Sequence, residues 1–353
     1  MYEVDFLPVG VGNGDAICVR YGTPEQGYYL HVIDGGYAAS ADTIIRHIET
    51  QFGRDWFINH MVASHADNDH CAGLVGVMER FHVEHLWMNR PWLYVEEVLD
   101  SFHGNYGREG VSRDIRAKHD YLVRLEDLAL GRSIPIHEVF QGAVIGSFVV
   151  LAPSRARYIR LIPDLDKTPT SYAKDSTGLA GFFAKAIEAV KEWADERWDL
   201  ETLSNNPEPT TASNETCVVQ LGQIDGRKIL LTADAGPSAL AEAADYAEML
   251  GLLSYPDFVQ VPHHGSRRNV TPYVLDRWLG GRMKTEGAAI GTAFCSVGEN
   301  QPEYPRGQVK TAFIRRGYPV HVTRANTKTH FFGCAGRGWP ASEPEPFDYR
   351  VET

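Results

Sequence analysis

An α/β fold of two packed β-sheets with helices outside is what the sequence predicts, and three observations predict it. Short runs of β-branched and aromatic residues recur along the 353-residue chain. Helical periodicities fall between many of them. Glycines at 12, 14, 22, 27, 35 and 36 bound the earliest runs, as hairpin turns require.

In chain order the strand-like runs are Tyr2–Leu7, Asp15–Tyr21, Tyr28–Ile33, Phe57–Ala63, Val144–Leu151, Cys217–Leu221, Lys228–Thr232, Phe258–Val261, Ala288–Ser296 and Pro319–Thr323. Helical patterns cover 41–52, 70–80, 238–250, 271–279 and 307–316. Two segments interrupt the alternation and are read as helical insertions. Residues 90–135 are helical and polar-rich. Residues 154–212 hold a long amphipathic helix near 179–199 and close on "LSNNPEPTTAS", a loop by composition. The chain is taken as a single domain, 1–353, because its chemically suggestive residues come from both sides of the insertions. No internal period appears.

The net charge of −12 excludes indiscriminate binding of nucleic acid or anionic membrane by the whole surface. The charge is uneven: between His263 and His330 stand eleven Lys/Arg against four Asp/Glu. Arg267, Arg268 and Arg306 in that stretch lie near motifs and are the candidates for function. No apolar run approaches the roughly 18 residues of a membrane span, and Met1–Leu7, carrying Glu3 and Asp5, is unlike a signal peptide. Five scattered cysteines without a CxxC pair read as reduced thiols, so a cytoplasmic location is expected and a cysteine-based zinc site is not.

The stretch "VASHADNDHCAGLVGVM" (62–78) carries the chemistry. His65, Asp67 and Asp69 alternate after a strand and His70 follows, so an extended backbone would turn three ligand-type groups to one face. Imidazole and carboxylate are the donors a divalent cation needs; without one, two adjacent buried carboxylates repel. A helix cap explains Asp69 alone and leaves the two histidines unexplained. Two more apolar strands end on ligand-type residues: "KILLTADAG" on Asp234, and "PDFVQVPHHGSRRN" on His263 and His264. His31, His60, His82, His85, His119 and His137 are read as packing residues.

"HADNDH" fits the His-x-Asp-x-Asp-His signature of the metallo-β-lactamase superfamily. The blocks "VGVGNGDAICV" (9–19), "YLHVIDGG" (29–36), "SNETCVVQL" (213–221), "ILLTADAG" (229–236), "VPHHGS" (261–266) and "SVGENQPEYP" (296–305) follow in order. Together they resemble the soluble ComEC-like domain of DNA-uptake proteins and its free-standing relatives. The resemblance implies a metallo-β-lactamase αββα sandwich holding two divalent ions, Zn²⁺ or Mn²⁺. His65 and Asp67 would serve one metal, Asp69, His70 and His263 the second, and Asp234 both. His263 and His264 remain alternatives, with His263 taken as ligand and His264 as a proton-handling group. Asp34 and Asp15 are expected to be structural acceptors. Asp67 stands where many relatives have His, and Ser213–Thr216 where a further imidazole falls. The first position is therefore oxygen-rich, which weakens occupancy or favours Mn²⁺.

The function this implies is hydrolysis of a phosphodiester, in DNA or another nucleotide-containing substrate, by a metal-bridging hydroxide. Two ions about 3.5–4 Å apart activate such a water. Asp69 would orient it; His264, Ser266 or Asn214 would assist the leaving oxygen; Arg267 or Arg268 would neutralise phosphate. Two other readings stay open: a small-molecule hydrolase for a cyclic nucleotide, phosphocholine-type ester or lactone, and a regulatory scaffold with a structural metal, its insertions meeting protein partners.

Overall fold

Odd and even residues of the first strand part company. Tyr2, Val4 and Phe6 enter an apolar cluster between two sheets, while Glu3 and Asp5 turn to a buried polar side. The computed structural model describes residues 1–102, 107–169 and 193–352. In them sixteen strands run β1 Tyr2–Phe6, β2 Ala16–Thr23, β3 Gly27–Gly35, β4 Ile58–Val62, β5 Val83–Trp87, β6 Ile136–His137, β7 Val144–Ile145 and β8 Phe148–Ala152. There follow β9 Trp193–Asp195, β10 Val219–Ile224, β11 Arg227–Leu231, β12 Phe258–Gln260, β13 Thr292–Cys295, β14 Val320–Val322, β15 Lys328–Phe332 and β16 Arg350–Glu352. One seven-stranded sheet has the order β15-β1-β2-β3-β4-β5-β6, the other β14-β13-β12-β11-β10-β8-β7.

The sheets meet through Phe6, Ile17, Val19, Ile33 and Val62 on one side and Val150, Ile229, Leu231, Phe258 and Phe294 on the other. Phe6 lies 5.7 Å from Phe258 and 5.6 Å from Phe294, edge-on in both contacts. Their outer faces carry helices. Against the first sheet, Leu30, Val32 and Met61 pack on α1 (Ala41–Gln51), α2 (Asn68–Arg80) and, beyond α3 (Val95–Val98) and α4 (Arg108–Lys118), on α5 (Asp120–Gly131). Against the second, past α6 (Arg155–Leu161) and α7 (Ala212–Glu215), Leu230 and Val259 pack on α8 (Pro237–Met249), α9 (Pro272–Leu279) and α10 (Gly307–Ile314). The four layers are the αββα sandwich expected.

Differences from expectation have local causes. The run 144–151 is two strands, because Gly146 (φ 58) turns the chain between β7 and β8. The helix expected near 179–199 lies outside the described residues over 179–192. Its last part is instead β9, paired antiparallel with β16. Within 90–135 lie α3, α4 and α5. The short β6, β9 and β16 and the exposed edge strand β15 escaped notice because two to five residues, half of them solvated, carry no period.

One close approach positions the site. The backbone of α2 crosses the end of β3 so tightly that a Cβ on Gly73 would lie 1.9 Å from the Gly35 carbonyl oxygen, and Gly73 N donates to Gly36 O at 3.0 Å. Both partners are backbone and cannot step aside. Gly73→Ala is expected to destabilise the fold by about 2–3 kcal/mol, measured by urea denaturation, and to weaken metal uptake, because α2 carries His70.

Candidate metal centre

The convergence of His65, Asp67, Asp69 and His70 does not arise from strand alternation. β4 ends at Val62, residues 63–67 form a loop, and Asp67 is the residue before α2, so Asp69 and His70 stand in the first helical turn. The Asp67 side chain makes no capping hydrogen bond to the helix. A carboxylate in the commonest capping position is thus left for something else.

Hydrogen bonds fix three histidine tautomers. Asp34, at the end of β3 with φ 56, accepts from Ser64 N at 2.8 Å, from Ser64 Oγ at 2.6 Å and from His70 Nδ1 at 2.9 Å. The His70 proton is therefore on Nδ1 and its Nε2 presents a lone pair. Ser64, having given its proton to Asp34, accepts from His65 Nδ1 at 2.9 Å, which leaves His65 Nε2 bare as well. His264 Nδ1 faces the Ser296 carbonyl oxygen at 2.9 Å, so its Nε2 is again the lone-pair nitrogen. Anchoring the remote nitrogen on an acceptor is how a protein prepares imidazole for a metal.

Asp234 stands in the middle. Its Oδ2 lies 3.3 Å from His70 Nε2 and 3.6 Å from His263 Nε2, and its Oδ1 3.6 Å from His264 Nε2. His65 Nε2 lies 3.5 Å from Asp67 Oδ2, and His70 Nε2 4.0 Å from Asp69 Oδ2. Among the described residues three trios of ligand atoms fall within 4.8 Å: Asp34–His65–His70, Asp69–His70–His264 and Asp15–Asp234–His264. Five buried atoms here, His65 Nε2, His70 Nε2, His264 Nε2, Asp234 Oδ1 and Asp15 Oδ1, have no hydrogen-bond partner among the described residues. Each such atom costs roughly 1–3 kcal/mol of desolvation when unpaired. A set of lone-pair donors turned to one place fits divalent cations and fits no internal hydrogen-bond scheme.

The electrostatics agree. Burial opposes a charge on His70, yet Asp234, Asp34 and Asp69 raise its pKa well above the ordinary value. Burial likewise opposes the Asp234 carboxylate, and His263, His70 and His264 overcome it to hold that pKa well below the usual range. The site calls for positive charge. Asp15 differs: burial raises its pKa, one oxygen accepts from Gln260 Nε2 at 2.7 Å, and the other is bare.

His263 and His264 both have left-handed backbones, φ 46 and 56, beside Ala233 at φ 46; strained non-glycine residues of this kind cluster at functional sites. Their settings differ. The His264 ring is buried and belongs to two of the trios, while the His263 ring is 32% exposed and belongs to none. His263 Nδ1 lies 2.8 Å from the Asn214 amide nitrogen and 3.0 Å from Asn269 Oδ1, so either tautomer finds a partner.

A cleft of about 400 Å³ opens beside His263, lined by Asn214, Ser266, Arg267, Arg268, Tyr304 and Arg306 among others. Arg268 pairs with Glu208, and Arg306 reaches Glu352 at 3.5 Å. Arg267 is exposed and makes no ion pair among the described residues. Much of the rest of the basic C-terminal stretch is neutralised from elsewhere. Arg315 pairs with Glu196, Arg316 with Glu201, Arg277 with Asp245 and Lys310 with Asp348. Asp234 is held in place by residues that sequence reasoning passed over. Gln260 Oε1 accepts from Thr232 N and Ala233 N, both at 2.9 Å, and Asn269 Nδ2 donates to the Asp234 carbonyl at 2.8 Å. A polar residue inside the apolar run "DFVQVP" was the available signal for Gln260.

No protein-family model and no curated protein matches the sequence. Solved structures do match. A HARLDQ-motif mutant of a metallo-β-lactamase from Cronobacter sakazakii is 14% identical, over 72% of this chain and 75% of that one, with a TM-score of 0.33. SMB-1, a metallo-β-lactamase bound to 2-mercaptoethanesulfonate, is 12% identical over 74% and 82%, TM-score 0.33. MEM-A1, a subclass B3 enzyme from a soil metagenome, is 15% identical over 77% and 81%, TM-score 0.32. These neighbours are members of the metallo-β-lactamase superfamily. At such scores their reactions say nothing of this chain's.

No helix of the described residues is long and apolar enough to cross a membrane. All five cysteines are free, and four are buried.

Proposed function

We propose that the chain is a metal-dependent hydrolase acting on phosphodiesters, with nucleotide-containing molecules as substrates. The observation that carries the reading is a cleft with three arginines, in a protein whose net charge is −12, that opens on His263, whose Nε2 lies 3.6 Å from Asp234 Oδ2. Guanidinium forks match phosphate oxygens in geometry and charge.

His65, His70, His264, Asp67, Asp69 and Asp234 would hold the metals, with Asp234 shared. This exchanges the parts expected of the histidine pair: His264, fixed in one tautomer and buried, becomes the ligand, and His263 the proton carrier. A divalent pair, when bound, supplies Lewis acidity and lowers the pKa of an attacking water towards neutrality. Asp69, 30% exposed at the helix start, orients that water by accepting its hydrogen bond. Burial pushes the His263 pKa down, so the ring is neutral at pH 7 and acts first as a base: it takes the proton that the attacking water loses, and the imidazolium so formed returns that proton to the leaving oxygen, Asn214 and Asn269 satisfying its Nδ1 in either state. Arg267 and Arg306 take the non-bridging phosphate oxygens, and Ser266 and Asn214 line the same wall.

The test is hydrolysis of bis-(p-nitrophenyl) phosphate, linear DNA and cyclic dinucleotides by purified protein with Mn²⁺ or Zn²⁺. Turnover of at least one is expected, and inertness to all three sinks the reading. The double variant Arg267→Ala/Arg306→Ala is expected to raise KM about tenfold with a smaller change in kcat. Polymer and small diester are told apart by salt: only DNA binding weakens steeply as salt rises.

A further inference from the structure

Asp15 and Asp34 are expected from the sequence to share one structural part, and the structure separates them. Asp34 uses both oxygens, Oδ1 on Ser64 N and Oδ2 on Ser64 Oγ and His70 Nδ1. Asp15, its side chain 2% exposed, uses only Oδ2, which accepts from Gln260 Nε2 at 2.7 Å. That oxygen also lies 3.6 Å from His70 Nδ1, whose proton Asp34 already takes. Asp15 Oδ1 has no partner among the described residues.

Both sheets fix where this bare oxygen sits. Asp15 directly precedes β2; its N donates to the Asp69 carbonyl at 3.2 Å and its own carbonyl accepts from Gly36 N at 2.7 Å. Its backbone is thereby tied to the first turn of α2 and to the end of β3. From the other sheet, Gln260 of β12 holds Asp15 by its amide nitrogen. By its amide oxygen it holds Thr232 N and Ala233 N, in the turn that carries Asp234. One side chain thus sets two carboxylates against each other. Asp15, Asp234 and His264 offer ligand atoms within 4.8 Å of one another, and each has a buried atom without a hydrogen bond: Asp15 Oδ1, Asp234 Oδ1 and His264 Nε2. The trio Asp34–His65–His70 differs, because Asp34 has no bare oxygen.

We propose that Asp15 is an oxygen ligand of the ion held by Asp234 and His264, on the buried side of the centre. The proposal rests on the reading of the centre as metal-binding. Two carboxylates held together out of water disfavour each other's charge, and a cation beside both removes the conflict. The same cation gives the bare lone pair of Oδ1 its partner. Asp69 reaches His264 and His70 from the exposed side. With Asp15 supplying the inner oxygen, Asp69 is free to hold the attacking water.

The experiment is a crystal structure of the full-length protein loaded with Zn²⁺, the ions located by anomalous scattering, beside calorimetric Zn²⁺ titration of metal-free wild type, Asp15→Asn and Asp234→Asn. An Asp15 oxygen is expected about 2.0–2.2 Å from the ion at His264. Asp15→Asn keeps an oxygen for Gln260 and should bind that ion about tenfold or more weakly, the other ion being held as before. An ion at Asp234 and His264 with both Asp15 oxygens beyond about 3 Å overturns the assignment and leaves the centre standing. So does a wild-type isotherm for Asp15→Asn beside lost binding in Asp234→Asn. Should Asp15→Asn fail to fold, the distance in the wild type decides. A wild type that takes up no Zn²⁺ overturns both readings.

Discussion

Asp234→Asn is expected to lower kcat/KM for bis-(p-nitrophenyl) phosphate by on the order of 10³-fold while the protein stays folded. The amide keeps the size and one acceptor oxygen of the carboxylate, so the turn after β11, held by Gln260 and Asn269, has no reason to move. What disappears is the single negative charge that faces His70, His263 and His264 at 3.3–3.6 Å. Both proposed metal positions would share that charge, so metal content by plasma mass spectrometry should fall at both. In the metal-free protein, His70 would lose its largest opposing charge and its pKa would fall. A variant that keeps two metals and more than about a tenth of the activity removes Asp234 from the shared position.

The sequence announced the ingredients of this centre better than their geometry. Three apolar runs leading to His65, Asp234 and His263–His264 were visible because an apolar run stopping on a metal-ligand residue is a local pattern. The site itself is made by contacts no local pattern encodes. Asp34 reaches His70 across 36 positions, Ser296 fixes the tautomer of His264 by a backbone carbonyl, and Gly35 meets Gly73 backbone to backbone. For that reason sequence reasoning could name the histidine pair but had no physical ground for taking His263 over His264 as the ligand. Which ring is a ligand depends on what its far nitrogen touches, and that is decided by tertiary structure. In the basic stretch, Arg267, Arg268 and Arg306 stood out by their nearness to motifs, and all three line the cleft, while folding spends Arg315 and Arg316 on buried acids.

The largest loss of stability is expected from Asp5→Asn, a position remote in role from the metals. Asp5 is fully buried in β1 and gathers three other elements. His47 of α1 bonds it at 2.9 Å, Thr329 of β15 donates to it at 2.6 Å, and Arg337 of the C-terminal segment grips both oxygens at 3.0 and 2.9 Å. Burial by itself would raise the pKa of this carboxyl; His47 and Arg337 outweigh it and bring the value below the ordinary one. Removing the charge takes the acceptor from His47 and the two-oxygen partner from the largely buried Arg337 side chain, which keeps only Glu3 at 3.4 Å, at a cost of about 3–5 kcal/mol. The sign with pH follows from the depressed pKa. The ion cluster stabilises the fold fully above the unfolded carboxyl's pKa, near 4, and the contribution is lost as pH falls through the folded value. Wild type and Asp5→Asn should therefore differ most in urea midpoint at pH 6–7 and converge on acidification below about pH 4. Activity per folded molecule should be equal in the two, because Asp5 touches none of the residues that face Asp234. A difference that stays constant from pH 7 to pH 3 would show that Asp5 acts through shape rather than charge.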